Sequence, residues 1–168
     1  TAYSSAYEYA SLAVTNAAPV LIPCGTSVLD PVPVHPFVGV IPGTLVSDLI
    51  ERMTPSGGIS DPDPGASLGI AINGLGGATT GTWQYTIDNG TSWYAIGTTG
   101  NSNARLLASN AATRIRYVPN AGFQGTVRLA FVGWDQSSGL NGGIASVGTR
   151  GGNTAFSSLY DYASVTVG

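Results

Sequence analysis

The chain has 168 residues, of which 43% are hydrophobic and only 9% charged, with 24 glycines and 10 prolines. An average soluble domain carries about 25% charged residues, and a disordered chain combines low hydrophobicity with high charge, so one folded, turn-rich domain is expected. Six arginines, no lysine and nine carboxylates give a net charge of −3, which argues against a nucleic-acid partner and makes lysine-to-asparagine isopeptide crosslinks chemically impossible.

Residues 1–15 (TAYSSAYEYASLAVT) and 154–168 (TAFSSLYDYASVTVG) share nine identities, and the differences Tyr3/Phe156, Glu8/Asp161 and Leu12/Val165 are conservative. The offset of 153 residues implies a repeating unit of that length, cut slightly out of phase. In the later copy Tyr160, Tyr162, Ser164 and Thr166 alternate with Ala163, Val165 and Val167, the period of a strand. Neither copy has the basic and apolar regions of a signal peptide, so any export signal is expected to have been removed or to lie upstream, and no run approaches the roughly 18 apolar residues of a membrane span. The chain therefore divides into a terminal strand copy (1–15), a linker with the first strand (16–22) and a sandwich unit (23–168).

The stretch from Pro23 to Pro42 is proline-rich and reads as edge strands or a wandering loop. It holds the single cysteine, Cys24, which is either a small apolar residue or half of an intermolecular bridge. Residues 44–53 are the one helical candidate, with Val46, Leu49, Ile50 and Met53 at helical spacing and Thr44 as N-cap. Strands are expected around 68–73, 82–87, 92–96, 105–107, 113–118 and 126–134, with Asp88-Asn89-Gly90-Thr91 closing a hairpin. Trp83, Tyr85 and Ile87 should share one inward face. About seven to nine strands and one short helix make an all-β, two-sheet sandwich the expected architecture.

Several stretches, taken in order, resemble the cadherin-like tandem repeats of giant bacterial secreted adhesins and surface proteins. They are Asn16-Ala17-Ala18-Pro19-Val20-Leu21, Ile59-Ser60-Asp61-Pro62-Asp63, Gly81-Thr82-Trp83-Gln84-Tyr85, Asp88-Asn89-Gly90-Thr91-Ser92-Trp93, Arg116-Tyr117-Val118-Pro119-Asn120, Phe123-Gln124-Gly125-Thr126, Trp134-Asp135-Gln136-Ser137-Ser138-Gly139 and Thr154-Ala155-Phe156-Ser157. The resemblance implies an extracellular, Ig-like sandwich repeated head to tail, often calcium-stabilised, serving as a stalk or surface contact. The sequence departs from that pattern at Ala17, where the linker usually carries an acid, and in the nearly uncharged segment 31–42. Both departures remove calcium ligands from the junction.

Calcium takes six to eight oxygen ligands, and Asp61, Asp63 and Asp135 are the carboxylates that could converge on one ion. The competing role for Asp61 and Asp63 is hydrogen bonding within their own turn. A hydrolase is not expected, because His35 is the only histidine and has no supporting motif. A carbohydrate-binding module is the alternative function, with Trp83, Trp93 and Tyr94 as a sugar platform; otherwise Trp83 and Trp134 are core and Trp93 packs near Ile87.

The duplicated strand has two uses. Residues 1–15 either complete the preceding unit of one long polypeptide or add to the open sheet edge of a separate neighbour. Both give a head-to-tail array whose partners are further copies of the unit, through contacts at Tyr3, Tyr7, Tyr9, Leu12 and Val14.

Overall fold

Short β-branched and aromatic runs between glycine and proline turns become strands, and two of the resulting sheets face one another. The computed structural model describes residues 13–34 and 39–168. In chain order the elements are β1 (Val20–Ile22), β2 (Ser27–Val28), β3 (Thr44–Leu45), α1 (Val46–Glu51), β4 (Gly58–Ser60), β5 (Gly69–Leu75), β6 (Gly81–Thr86), β7 (Tyr94–Ala95), β8 (Ala104–Ala108), β9 (Arg114–Pro119), β10 (Gly125–Trp134), β11 (Ile144–Ala145) and β12 (Phe156–Val167). The larger sheet runs β11-β8-β5-β10-β12-β2 and the smaller β3-β9-β6-β7, while β1 and β4 pair separately. Twelve strands among the described residues exceed the seven to nine expected, because six of them span only two or three residues, too few to show a period.

The main core lies between the sheets. Ile70, Ile72, Leu129, Phe131 and Val165 from the larger sheet meet Trp83, Ile115 and Tyr117 from the smaller one. Each such side chain contributes about 1.5–3 kcal/mol on full burial. A second cluster occupies the other face of the larger sheet, where Ala71, Leu106, Val132 and Trp134 are covered by Val147, Ala155 and Phe156. The glycine-rich connection between β10 and β12, with the first residue of β12, supplies that cover, which is why β10 is buried on both faces from Phe131 to Trp134.

Three local expectations are corrected. Thr44 does not cap α1: it pairs with Ile115 in β3, and its hydroxyl donates to Asp30 Oδ2 at 3.0 Å while accepting the Asp30 N–H at 2.7 Å. The N-cap position is Leu45, without a side-chain cap, and the Val46 N–H instead donates to Thr113 O at 3.0 Å. Ile87 is exposed and Thr86 is fully buried, so the inward alternation of Trp83 and Tyr85 stops one residue early. Trp93 lies under the Arg116 guanidinium, 3.8 Å from the ring centroid, and approaches Gly43 rather than Ile87.

The cause of the second and third differences is the turn. β6 and β7 pair through Gln84↔Ala95 and Tyr85↔Tyr94, so the hairpin exists. Asn89 and Gly90 take φ of 57° and 91°, the left-handed conformations that Asn-Gly favours. Thr86 turns its hydroxyl inward to donate to Asp88 Oδ1 at 2.6 Å, and the same oxygen accepts the Ser92 N–H at 2.9 Å. These bonds, the Thr86 hydroxyl first and the Ser92 N–H next, hold the Asp88 carboxyl below its ordinary pKa of 3.8. A lowered folded value stabilises the turn fully above the unfolded value, and that contribution fades as pH falls through the folded one. Amide exchange at Ser92 should therefore accelerate selectively below about pH 3.8, as an NMR titration would read, while Ile70 in the core stays protected.

Candidate functional site at the two ends of the sandwich

β10 and β12 are antiparallel, with Trp134↔Phe156 at one end of the pair and Gly125↔Val167 at the other. The linker joins the body at the first end. Asn16 Nδ2 donates to Asp135 Oδ2 at 2.8 Å and to Thr154 O at 3.2 Å. The Ala17 N–H donates to Asp63 Oδ2 at 2.8 Å, and the Ala18 N–H to Gly152 O at 2.8 Å. At the far end the Gly168 N–H donates to Val32 O at 3.1 Å. Twelve residues of β12, at about 3.3 Å each, separate these points by roughly 40 Å.

The structure thus brings Asp63 and Asp135 together on the linker. Asp135 is buried, and its other oxygen accepts the Ser137 N–H at 2.7 Å. Asp61 Oδ1 accepts the Asp63 N–H at 2.7 Å, the turn bond expected before proline, while Asp61 Oδ2 is enclosed without a partner among the described residues. Ala17 serves through its backbone N–H, so the position needs no acid for this contact. Asp61, Asp63 and Asp135 remain the nearest candidates for a metal. Among the described residues, however, no group of three or more His, Cys, Asp or Glu side chains is placed to hold one.

The terminal strand fills its place from within the chain. β12 lies between β10 and the short β2, which runs parallel to it through Ala163↔Ser27 and Ser164↔Val28. Ala163, Val165 and Val167 face the core, while Tyr160 and Tyr162 are exposed with their rings edge to face at 5.5 Å. Asp161 shares the inward side and is buried at 2% exposure. One of its oxygens accepts the Cys24 N–H at 3.0 Å and the Gly25 N–H at 3.4 Å, with the Ser27 hydroxyl at 3.5 Å. Cys24 is a free, half-buried thiol 3.1 Å from Ser27 Oγ. The sequence carried a signal for Asp161, since the copy at residues 1–15 has an acid, Glu8, at the matching position. Asn16 carried none beyond its place in the linker motif.

The other candidate residues do not assemble into one surface. Trp83 is buried, with Nε1 donating to Gly76 O at 2.8 Å. Trp93, just before β7, and Tyr94, its first residue, pack against different partners, Trp93 beside Arg116 and Tyr94 5.8 Å from Tyr85. Burial pulls the Arg116 guanidinium below its ordinary value, and its Nε donates to Gln84 Oε1 at 2.8 Å. Val14 is exposed, whereas Tyr3, Tyr7, Tyr9, Leu12 and His35 lie outside the described residues. No helix among the described residues is long and apolar enough to cross a membrane.

No protein-family model, curated protein or solved structure matches the chain.

Proposed function

We propose that the chain is a structural unit of a head-to-tail array on the outside of a cell, with no catalytic role, resembling the repeats of giant bacterial adhesins. One observation carries this reading: the linker joins the sandwich at one end of β12 and the chain leaves at the other, with a copy of β12 standing upstream of the linker. A unit with its two connections at opposite ends stacks into a line. Residues 1–15 are then the last strand of the preceding unit. In sequence Glu8, Ala10, Leu12 and Val14 match in kind Asp161, Ala163, Val165 and Val167, the inward positions of β12.

The place that such a strand would fill in this unit is already taken by β12, which favours one continuous polypeptide over strand addition between separate subunits. A polypeptide holding two consecutive units should be longer than one unit by about 40 Å in small-angle X-ray scattering, the axial length of β12. An unchanged maximum dimension, with the units side by side, would overturn the reading. Concentration-dependent fibres of single units would favour strand addition instead.

A further inference from the structure

We propose that the carboxylate at position 161 sets the register of the terminal strand, and that the Cys24–Ser27 loop is a receptor for an acid-bearing strand, which a glutamate can satisfy as well as an aspartate. The glutamate part rests on the proposed array, because it assigns Glu8 to the equivalent loop of the preceding unit.

A one-residue slip of β12 would turn its apolar set out of the core and is excluded by the alternation. A two-residue slip is not excluded that way. Ala163, Val165 and Val167 are all small and apolar, and each could occupy its neighbour's place beside Val127 and Leu129. Asp161 is what distinguishes the registers. In the native one it is a buried carboxylate with no cation within ion-pair distance among the described residues: Oδ2 is held by the Cys24 and Gly25 N–H groups with the Cys24 thiol and Ser27 hydroxyl at 3.5 Å, and Oδ1 by the Tyr162 N–H of its own strand at 2.8 Å. Successive N–H groups of a turn form such anion-binding concavities, and a charge moved away from them into an apolar interior keeps only the Tyr162 N–H of its own strand, with its other oxygen unpaired at high cost. A slip by two takes the carboxylate out of the loop's reach. Ser157 ties the irregularity near Val132, accepting the Gly133 N–H at 2.7 Å and donating to Leu159 O at 2.7 Å, so it is the competing determinant of register.

The test reads register directly. Thr126 and Thr166 face each other with their hydroxyls 3.3 Å apart, so in a Cys24→Ser chain the pair Thr126→Cys with Thr166→Cys reports the native register. Thr126→Cys with Ser164→Cys reports the strand slipped by two. With Asp161 present, oxidation should link only the native pair. Asp161→Val should raise the slipped cross-link at least tenfold, and Asp161→Glu should restore native-only linkage. If Asp161→Val does not fold, Asp161→Asn, of the same shape without the charge, is read in the same way. Native-only linkage in the uncharged variant would overturn the proposal and assign register to Ser157. Slipped linkage in Asp161→Glu would overturn the part concerning Glu8. Neither result depends on the length of a two-unit chain, so the array and the register device can fail separately.

Discussion

Replacing Trp134 with alanine is expected to destabilise the protein by about 3–5 kcal/mol, the range for truncating a large aromatic in a close-packed interior. Trp134 is 1% exposed, and its indole N–H donates to Ser138 O at 2.8 Å. The approach beneath it is close: a Cβ added at Gly69 would sit 2.9 Å from Trp134 Cε3, so the strand can pass the ring only as glycine. Removing the ring leaves a cavity in the second cluster, covered mainly by the 135–155 connection. Because Asp135 follows directly, the linker contacts should loosen together with the cover. Denaturant unfolding measures the first effect, and faster amide exchange at Ala17 and Ala18 the second. Tyr94→Ala, at a half-exposed site on the edge strand, should cost less than about 1 kcal/mol in comparison. A loss below about 1 kcal/mol for Trp134→Ala would show that the cover is held by its backbone alone.

That cover also marks where the sequence was readable and where it was not. Strands β6 and β12 announce themselves by alternation, β5, β8, β9 and β10 as apolar or β-branched runs between turn residues, and the Asn-Gly hairpin by its turn chemistry. The glycine-rich connection showed no period, because it buries only isolated residues such as Val147 and Ala155 and is held by bonds such as Val147 N–H to Asn101 O at 2.6 Å. Contacts of that kind depend on partners far along the chain. The same limit applied to Thr44, whose position after glycine and before an apolar run fits an N-cap. Its hydroxyl was taken by Asp30, across the proline-rich segment, and β3 pairing with β9 displaced the helix start to Val46. Asp63 and Asp135 could be picked out by type. That they would converge on the backbone of Ala17 and the side chain of Asn16 could not, because a hydrogen bond 119 residues apart leaves no local trace.

The second large effect is expected at that convergence. Asp135→Ala leaves the Ser137 N–H without its acceptor and takes from the Asn16 amide its shortest one, with Thr154 O at 3.2 Å remaining, at about 1–3 kcal/mol for each donor left buried and unpaired. Asp135→Asn keeps one acceptor oxygen and should cost clearly less. Asp63→Ala frees the Ala17 N–H three residues from the exposed Val14, so its effect on stability should be the smaller of the two. Both residues hold one linker, and removing both should cost a different amount from the sum of the single losses, as measured by a double-mutant cycle. In a two-unit chain the same pair should broaden the distribution of angles between units in scattering data, because the linker would lose two of the contacts that fix its direction. Chelation separates this clamp from an ion site. The carboxylate oxygens facing the linker already accept N–H bonds, so removing calcium should leave the melting midpoint where it was. A midpoint that rises with added calcium and falls in Asp61→Ala would instead make Asp61 Oδ2, enclosed and without a partner among the described residues, the first ligand of an ion.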